Sequence, residues 1–225
     1  MIHFLHTYYP PMDHIKQLPA DHLYWSHTGN WKNDWNNSFP CEKRYLTNNI
    51  GKDLGGKLFL FQVLLENNIS DDYIIFLHDK NSPQVINGEQ WKEELWAIAD
   101  QKKIKEAITL LDQNKTVGIV ANKSAIIDPE QAGEAYAYAT NKVIIFDEAK
   151  KYAILPKNKS FVAGTMFIAR LGPYIDFFKE NNPLEIRANM EQGNVLDLEQ
   201  GTLTHSWERL LSWIVTSKNY TIAGI

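Results

Sequence analysis

Tyr73-Ile74-Ile75-Phe76-Leu77-His78-Asp79-Lys80-Asn81-Ser82 is the stretch that decides the fold class. An apolar run rich in β-branched and aromatic side chains, too short for a helix, reads as a buried strand, and it stops abruptly in polar residues. In open α/β sheets ligands gather at the carboxyl ends of strands, so the tip from His78 to Ser82 is a candidate binding edge. Working outward, further short runs of the same kind predict strands at Ile2 to Leu5, Leu23 to Ser26, Arg44 to Thr47, Val117 to Ala121, Phe161 to Ala169 and Tyr220 to Ile222. Helical patterns lie between them. Leu54, Leu58, Phe61 and Leu65 follow the 3.6-residue period, and Leu60 and Leu64 widen the stripe, so the helix from about Asp53 to Asn67 is expected to be covered on more than one side. A second helical region runs from Glu89 to about Asn114 with a break near Asp100, and residues 122–159 read as a helical insertion with long loops. Such alternation predicts one α/β domain with a mostly parallel central sheet flanked by helices.

Composition agrees. The 225 residues are 44% hydrophobic and 22% charged, which excludes a disordered or fibrous chain, and at ~150 residues per domain they call for a single unit. The net charge of −4 offers no field for a polyanion, so nucleic acid is not an expected partner. The single cysteine, Cys41, can close no intramolecular disulfide and build no zinc cage, which fits a cytoplasmic protein. With no leader-like start and no stretch near the ~18 apolar residues of a span, membrane contact is expected to be peripheral at most, at the inner face.

Three more segments carry chemistry. Thr47-Asn48-Asn49-Ile50-Gly51-Lys52-Asp53-Leu54-Gly55-Gly56-Lys57 follows a strand and opens a helix, where unpaired amides and the helix dipole suit a phosphate, and on a strand neighbouring that of His78 to Ser82 it is expected to face the same crevice. Gly51 to Lys57 also spells the G-x-x-x-x-G-K of a P-loop, but Leu58 stands where a hydroxyl should reach magnesium. Phe161-Val162-Ala163-Gly164-Thr165-Met166-Phe167-Ile168-Ala169-Arg170 has a glycine inside an apolar run, the mark of a bulge or of a closely approaching ligand. In Glu199-Gln200-Gly201-Thr202-Leu203-Thr204-His205-Ser206-Trp207-Glu208-Arg209-Leu210-Leu211, the residues Leu203, Trp207, Leu210 and Leu211 share one helical face, while His205, Glu208, Arg209 and Ser212 lie opposite. That polar stripe reads either as acid/base machinery or as a solvated face with ion pairs. Trp31 and Trp35, among Asn, Asp and Lys, can stack on a sugar or pack at a rim.

Taken in order, His6-Thr7-Tyr8-Tyr9, Asn49-Ile50-Gly51-Lys52-Asp53, Leu77-His78-Asp79-Lys80-Asn81-Ser82, Trp91, Gly164-Thr165-Met166-Phe167 and Gly201 to Leu210 resemble the rhamnan synthesis protein F family of bacterial polysaccharide glycosyltransferases. The resemblance implies a GT-A-like, Rossmann-related fold that takes a sugar from a dTDP-, UDP- or GDP-linked donor to a hydroxyl of a glycan or lipid-linked glycan. It assigns His6, Asn49, Gly51, Lys52, Asp53, His78, Asp79, Lys80 and Ser82 to the donor, and Gly164, Thr165, Met166 and Arg209 to the acceptor. Glu199, Glu208 and His205 are the implied catalytic groups. Where many GT-A enzymes carry Asp-x-Asp this chain has His78-Asp79-Lys80, and a lysine there repels a metal, so no metal ligands are assigned and Mg or Mn dependence is disfavoured. Before Gly201 the family pattern leads one to expect an acidic residue where this chain has Gln200, with Glu199 one position earlier able to substitute. The competing expectations are a non-catalytic carbohydrate-binding module built on Trp31 and Trp35, and a P-loop nucleotide-binding protein built on Gly51 to Lys57.

Overall fold

A computed structural model describes residues 1–9, 13–29, 43–79 and 88–225. Its strands are β1 (Ile2–Thr7), β2 (Leu23–His27), β3 (Arg44–Leu46), β4 (Tyr73–His78), β5 (Val117–Ala121), β6 (Ile126–Ile127), β7 (Phe161–Val162), β8 (Phe167–Arg170) and β9 (Thr221–Gly224). The helices are α1 (Lys52–Glu66), α2 (Gly88–Trp96), α3 (Gln101–Gln113), α4 (Pro129–Ala132), α5 (Glu134–Tyr138), α6 (Lys142–Lys151), α7 (Gly172–Glu180), α8 (Pro183–Ala188) and α9 (Leu203–Thr216).

Seven strands form the central sheet in the order β3-β2-β1-β4-β8-β5-β9. Every pairing in it is parallel except the two made by β8, which runs against β4 and β5. The mostly parallel sheet flanked by helices is therefore as expected. The reversal of β8 places the site: with Phe76 opposite Phe167, the residues leading into β8 arrive at the rim where β1 and β4 end.

Helix α1 lies on β1 and β2 and packs against α7, α8 and α9, which explains its broad apolar surface. Phe61 sits at the centre, its ring 5.0 Å from that of Phe4, 5.3 Å from Tyr174 and 4.5 Å from Phe178. Two glycines of α1 are packing devices. A Cβ on Gly55 would fall 1.7 Å from the Ile50 carbonyl oxygen, and one on Gly56 would fall 2.0 Å from His6 Nδ1 on β1.

Several local expectations change. The strand predicted from Phe161 to Ala169 is broken into β7 and β8 by a turn at Ala163–Thr165, because Gly164 (φ 75) and Thr165 (φ 50) adopt left-handed backbone that a strand does not contain. The break predicted near Asp100 is real: its side chain accepts hydrogen bonds from the amides of Lys102 and Lys103 and starts α3. Periodicity did not reach α7 and α8, whose stripes are short. The turn after β3 and the tip of β4 do not lie on adjoining strands, since β2 and β1 stand between. They converge because α1 crosses over those two strands. Finally, the polar stripe of α9 is not a solvated face. Residues 122–159 form β6 and α4 to α6, β6 pairs with β7, and α9 packs on α6 and β7, so that Ser206, Arg209 and Ser212 are buried. The Val162 amide donates to Ser212 Oγ at 3.1 Å.

Candidate active site

The rim formed by the ends of β1 and β4, the start of α1, the turn into β8 and the start of α9 encloses a cleft of about 370 Å³. Its floor is a buried polar cluster. Lys57, in the second turn of α1, is fully buried, and its ammonium donates to Asp53 Oδ2 at 2.7 Å and to the Thr165 carbonyl oxygen at 3.0 Å. Thr165 Oγ1 donates to the same Asp53 oxygen at 2.6 Å. His78 Nε2 donates to the Gly164 carbonyl at 2.7 Å and stands 3.8 Å from Asp53 Oδ2. Burial alone would raise the Asp53 pKa, but the Lys57 ammonium, His78 and these hydrogen bonds hold it well below the usual carboxylate range. A buried carboxylate so paired fixes the α1 wall to the β8 turn.

This arrangement corrects the P-loop reading. The lysine that would face a phosphate is locked beneath the cleft, Gly55 and Gly56 face protein, and the Gly51 amide donates to the Glu191 carbonyl at 2.9 Å. Gly51, assigned to the donor, is thus a conformational residue: its φ of 72 turns the chain into α1, and a Cβ there would meet Met190 Sδ at 2.4 Å.

Beside the floor, His6 is buried with Nδ1 2.9 Å from Ser26 Oγ and with Nε2 lacking a partner among the described residues. Burial lowers its pKa to about 3, so the ring is neutral. Asp79 turns back to accept the amides of Tyr8 and Tyr9, tying the end of β1 to the end of β4. Burial pushes its pKa up to about 7, against the pull of those amides. On the α1 wall, Lys52, Asp53 and Leu54 bring the first helical turn to the cleft, and Lys52 Nζ donates to His205 Nε2 at 3.4 Å. His205 Nδ1 is 2.6 Å from Thr202 Oγ1, and burial, then the Lys52 charge, lower its pKa. Asn49 Nδ2 donates to Asn194 Oδ1 at 3.1 Å.

One turn beyond His205 on α9 stands Glu208. One oxygen accepts the Gly164 amide and the other accepts from Arg209 Nη1 at 2.7 Å. Of the assigned residues, His6, Asn49, Lys52, Asp53, His78, Asp79, Gly164, Thr165, His205 and Glu208 therefore line one cleft. Others do not. Glu199 is exposed and outside the lining; Met166 is fully buried in the core behind the turn. Arg209 is buried with four of its five N–H donors committed to Ala137 O, His205 O and Glu208, which leaves it a wall rather than a ligand-binding group. Lys80 and Ser82, like Trp31, Trp35 and Cys41, lie outside the described residues. Among the described residues no three His, Cys, Asp or Glu side chains gather as a metal site.

The sequence alone did not reveal Tyr8, Tyr9, Asn194, Leu196 and Thr204 as lining residues, nor the role of Glu191. The carboxylate of Glu191 accepts the amides of Leu203 (2.6 Å) and Thr204 (3.0 Å), capping α9 from outside the helix. Its pKa, which burial would raise, is lowered by Thr204 and those amides. The carboxylate expected just before Gly201 thus has a nearby counterpart, supplied from earlier in the chain and spent on holding the helix. Among the described residues no helix is long and apolar enough to cross a membrane.

No curated protein sequence matches the chain. A solved structure, the WbbM bifunctional glycosyltransferase in its apo form, is similar over 99% of this chain at 13% identity, with a TM-score of 0.48. The chain spans 44% of the length of that neighbour. The family model of rhamnan synthesis protein F matches residues 38–220, and with most of its length covered the chain belongs to that family.

Proposed function

We propose that the protein is a glycosyltransferase of the GT-A type that moves a sugar, rhamnose in the first instance, from a nucleoside-diphosphate donor to a hydroxyl of a growing glycan. The observation that carries this reading is that Lys52, at the amino end of α1, and Glu208, on α9, line one cleft whose floor is fixed by Asp53, Lys57 and Thr165. Helix amides and an ammonium group suit a departing diphosphate, and a carboxylate suits an attacking hydroxyl.

In this mechanism the acceptor oxygen attacks the anomeric carbon as the bond to the diphosphate oxygen breaks. Its proton goes to Glu208, and the electron pair of the broken bond goes to the diphosphate. Each Glu208 oxygen accepts one protein hydrogen bond, which orients the carboxylate and leaves lone pairs for the hydroxyl. Lys52, steered by the neutral His205 ring, offsets the charge that grows on the leaving group. Asp53 and His78 act beneath the sugar by holding the walls together. At the carboxyl end of β4, His78 and Asp79 are committed to Gly164 and to the Tyr8 and Tyr9 amides, so the reading assigns charge neutralisation to lysine and not to a metal.

Thermal shift with dTDP-, UDP- and GDP-rhamnose, with and without manganese, tests this reading. Stabilisation of the wild type by at least one of them, weakened in Lys52→Ala, is expected. A wild type that none of them stabilises would remove the donor site.

A further inference from the structure

A second cleft, of about 500 Å³, opens on the other side of the Ala163–Thr165 turn. The two clefts are back to back. Gly164 and Glu208 line the first, their chain neighbours Ala163 and Arg209 line the second, and the Glu208–Arg209 ion pair at 2.7 Å forms the ridge between them. Its lining is unlike that of a phosphate site. Trp91 is half-buried, Tyr136 is 71% exposed, and Phe161 lies beneath with the Arg209 guanidinium 4.7 Å from its ring centre. The aromatic surfaces are accompanied by a pre-ordered polar set: Gln90 Nε2 donates to one Glu94 oxygen at 3.0 Å and Ser124 Oγ to the other at 3.2 Å. The cation in the lining, Arg209, has four N–H groups committed, so nothing among the described residues of this cleft is placed to neutralise a diphosphate.

A pyranose has an apolar C–H face and a rim of hydroxyl groups. Aromatic planes complement the first, and the free lone pairs of a fixed carboxylate, with amide and hydroxyl groups beside it, complement the second. We propose that this second cleft holds the neutral glycan acceptor, its sugar stacked on Trp91 and Tyr136 and its hydroxyls on Gln90, Glu94 and Ser124, so that the terminal hydroxyl reaches over the ridge to Glu208. The inference rests on the transferase reading for the reaction, but not for the binding. It makes Trp91 and Tyr136 acceptor-positioning residues, and it moves the acceptor from direct contact with Arg209 to the aromatic surfaces in front of it.

Calorimetric titration with a rhamnose trisaccharide, run beside thermal shift with dTDP-rhamnose, tests the assignment. The trisaccharide is expected to bind the wild type and Lys52→Ala alike, and to bind Trp91→Ala about tenfold more weakly. Tyr136→Ala, at an exposed position where folding is not in question, should weaken it several-fold, and all these aromatic variants should keep the wild-type response to the nucleotide sugar. Trisaccharide binding that is lost in Lys52→Ala and unchanged in both aromatic variants would place the glycan in the first cleft and overturn the proposal. So would a wild type that responds to the nucleotide sugar and does not bind the trisaccharide. Trisaccharide binding that depends on Trp91, in a protein that no nucleotide sugar stabilises, would sustain the second cleft while removing the transferase reading.

Discussion

The two clefts on either side of the Ala163–Thr165 turn are made of different materials. The first is floored by ionised and hydrogen-bonded groups taken out of water, Lys57 and Asp53 above all, with a helix terminus on its wall. The second is faced with aromatic rings and keeps its one carboxylate near the surface, held by neutral donors. Charges in a dry setting act strongly but must be paired, so the first is rigid and costly to perturb. Aromatic surfaces at a wet rim bind by area and tolerate change. The difference teaches that ionised, enclosed groups suit a charged ligand held in a single pose, whereas open aromatic surfaces suit neutral rings.

The sharpest way to break this contrast is at its most buried member. Lys57→Met leaves Asp53 without its ammonium and should destabilise the fold by about 3–5 kcal/mol in denaturant titration, with Lys57→Met/Asp53→Asn recovering much of the loss. An equal loss in the double variant would mean that the pair matters by shape and not by charge. Next in size, Glu208→Gln should lower sugar transfer by ~10²-fold or more with nucleotide-sugar stabilisation unchanged, while Glu199→Gln, exposed and outside the cleft, should leave transfer near normal. The reverse pattern would move the base out of the ridge.

An effect that is smaller for each unit of pH separates the two sides by titration. His6, neutral in the fold with a pKa near 3 against 6.5 when unfolded, contributes stability that is complete above 6.5 and lost as pH falls toward 3. Within that window the slope is up to about 1.4 kcal/mol per pH unit. Denaturation midpoints measured across it should fall less steeply in His6→Asn, which can still bond Ser26. The smallest effect concerns Asp79. With its pKa raised to about 7, ionisation as pH rises through 7 adds negative charge to the first cleft. Donor affinity should therefore decline a few-fold over that rise, and Asp79→Asn should flatten the decline. Trisaccharide affinity in the second cleft should not follow either titration.

Most strands of the central sheet could be read from the chain because buried strands announce themselves by apolar runs such as Ile74 to Leu77. Helix α1 was legible for the same reason, and the polar tip at His78 and Asp79 marked the rim. What could not be read depends on contacts between distant residues. Lys57 looked like a phosphate ligand, since nothing local says that Thr165 and Asp53 will enclose it. The polar stripe of α9, which the sequence leaves open as a solvated face, is largely covered because residues 122–159 fold over it, and weak periodicity there hides the covering elements. Glu191 caps α9 from twelve residues before Leu203, a separation at which no capping motif can be recognised. Glu199 and Gln200 stand out only by their place before Gly201; Glu208 stands out by the family resemblance and its polar stripe, and its cleft is supplied by a turn that the apolar run Phe161 to Ala169 disguises as strand.

Thr165 is strained and fastened at once. With φ at 50, a β-branched side chain is held in a basin where only glycine is at ease, at an expense of about 1–3 kcal/mol. Its hydroxyl latches Asp53 and its carbonyl takes the Lys57 ammonium, so the fastening outweighs the torsion. The residue works as a spring catch: relaxing the backbone with glycine would also release the hasp, and the gain in one would arrive with slackness in the other.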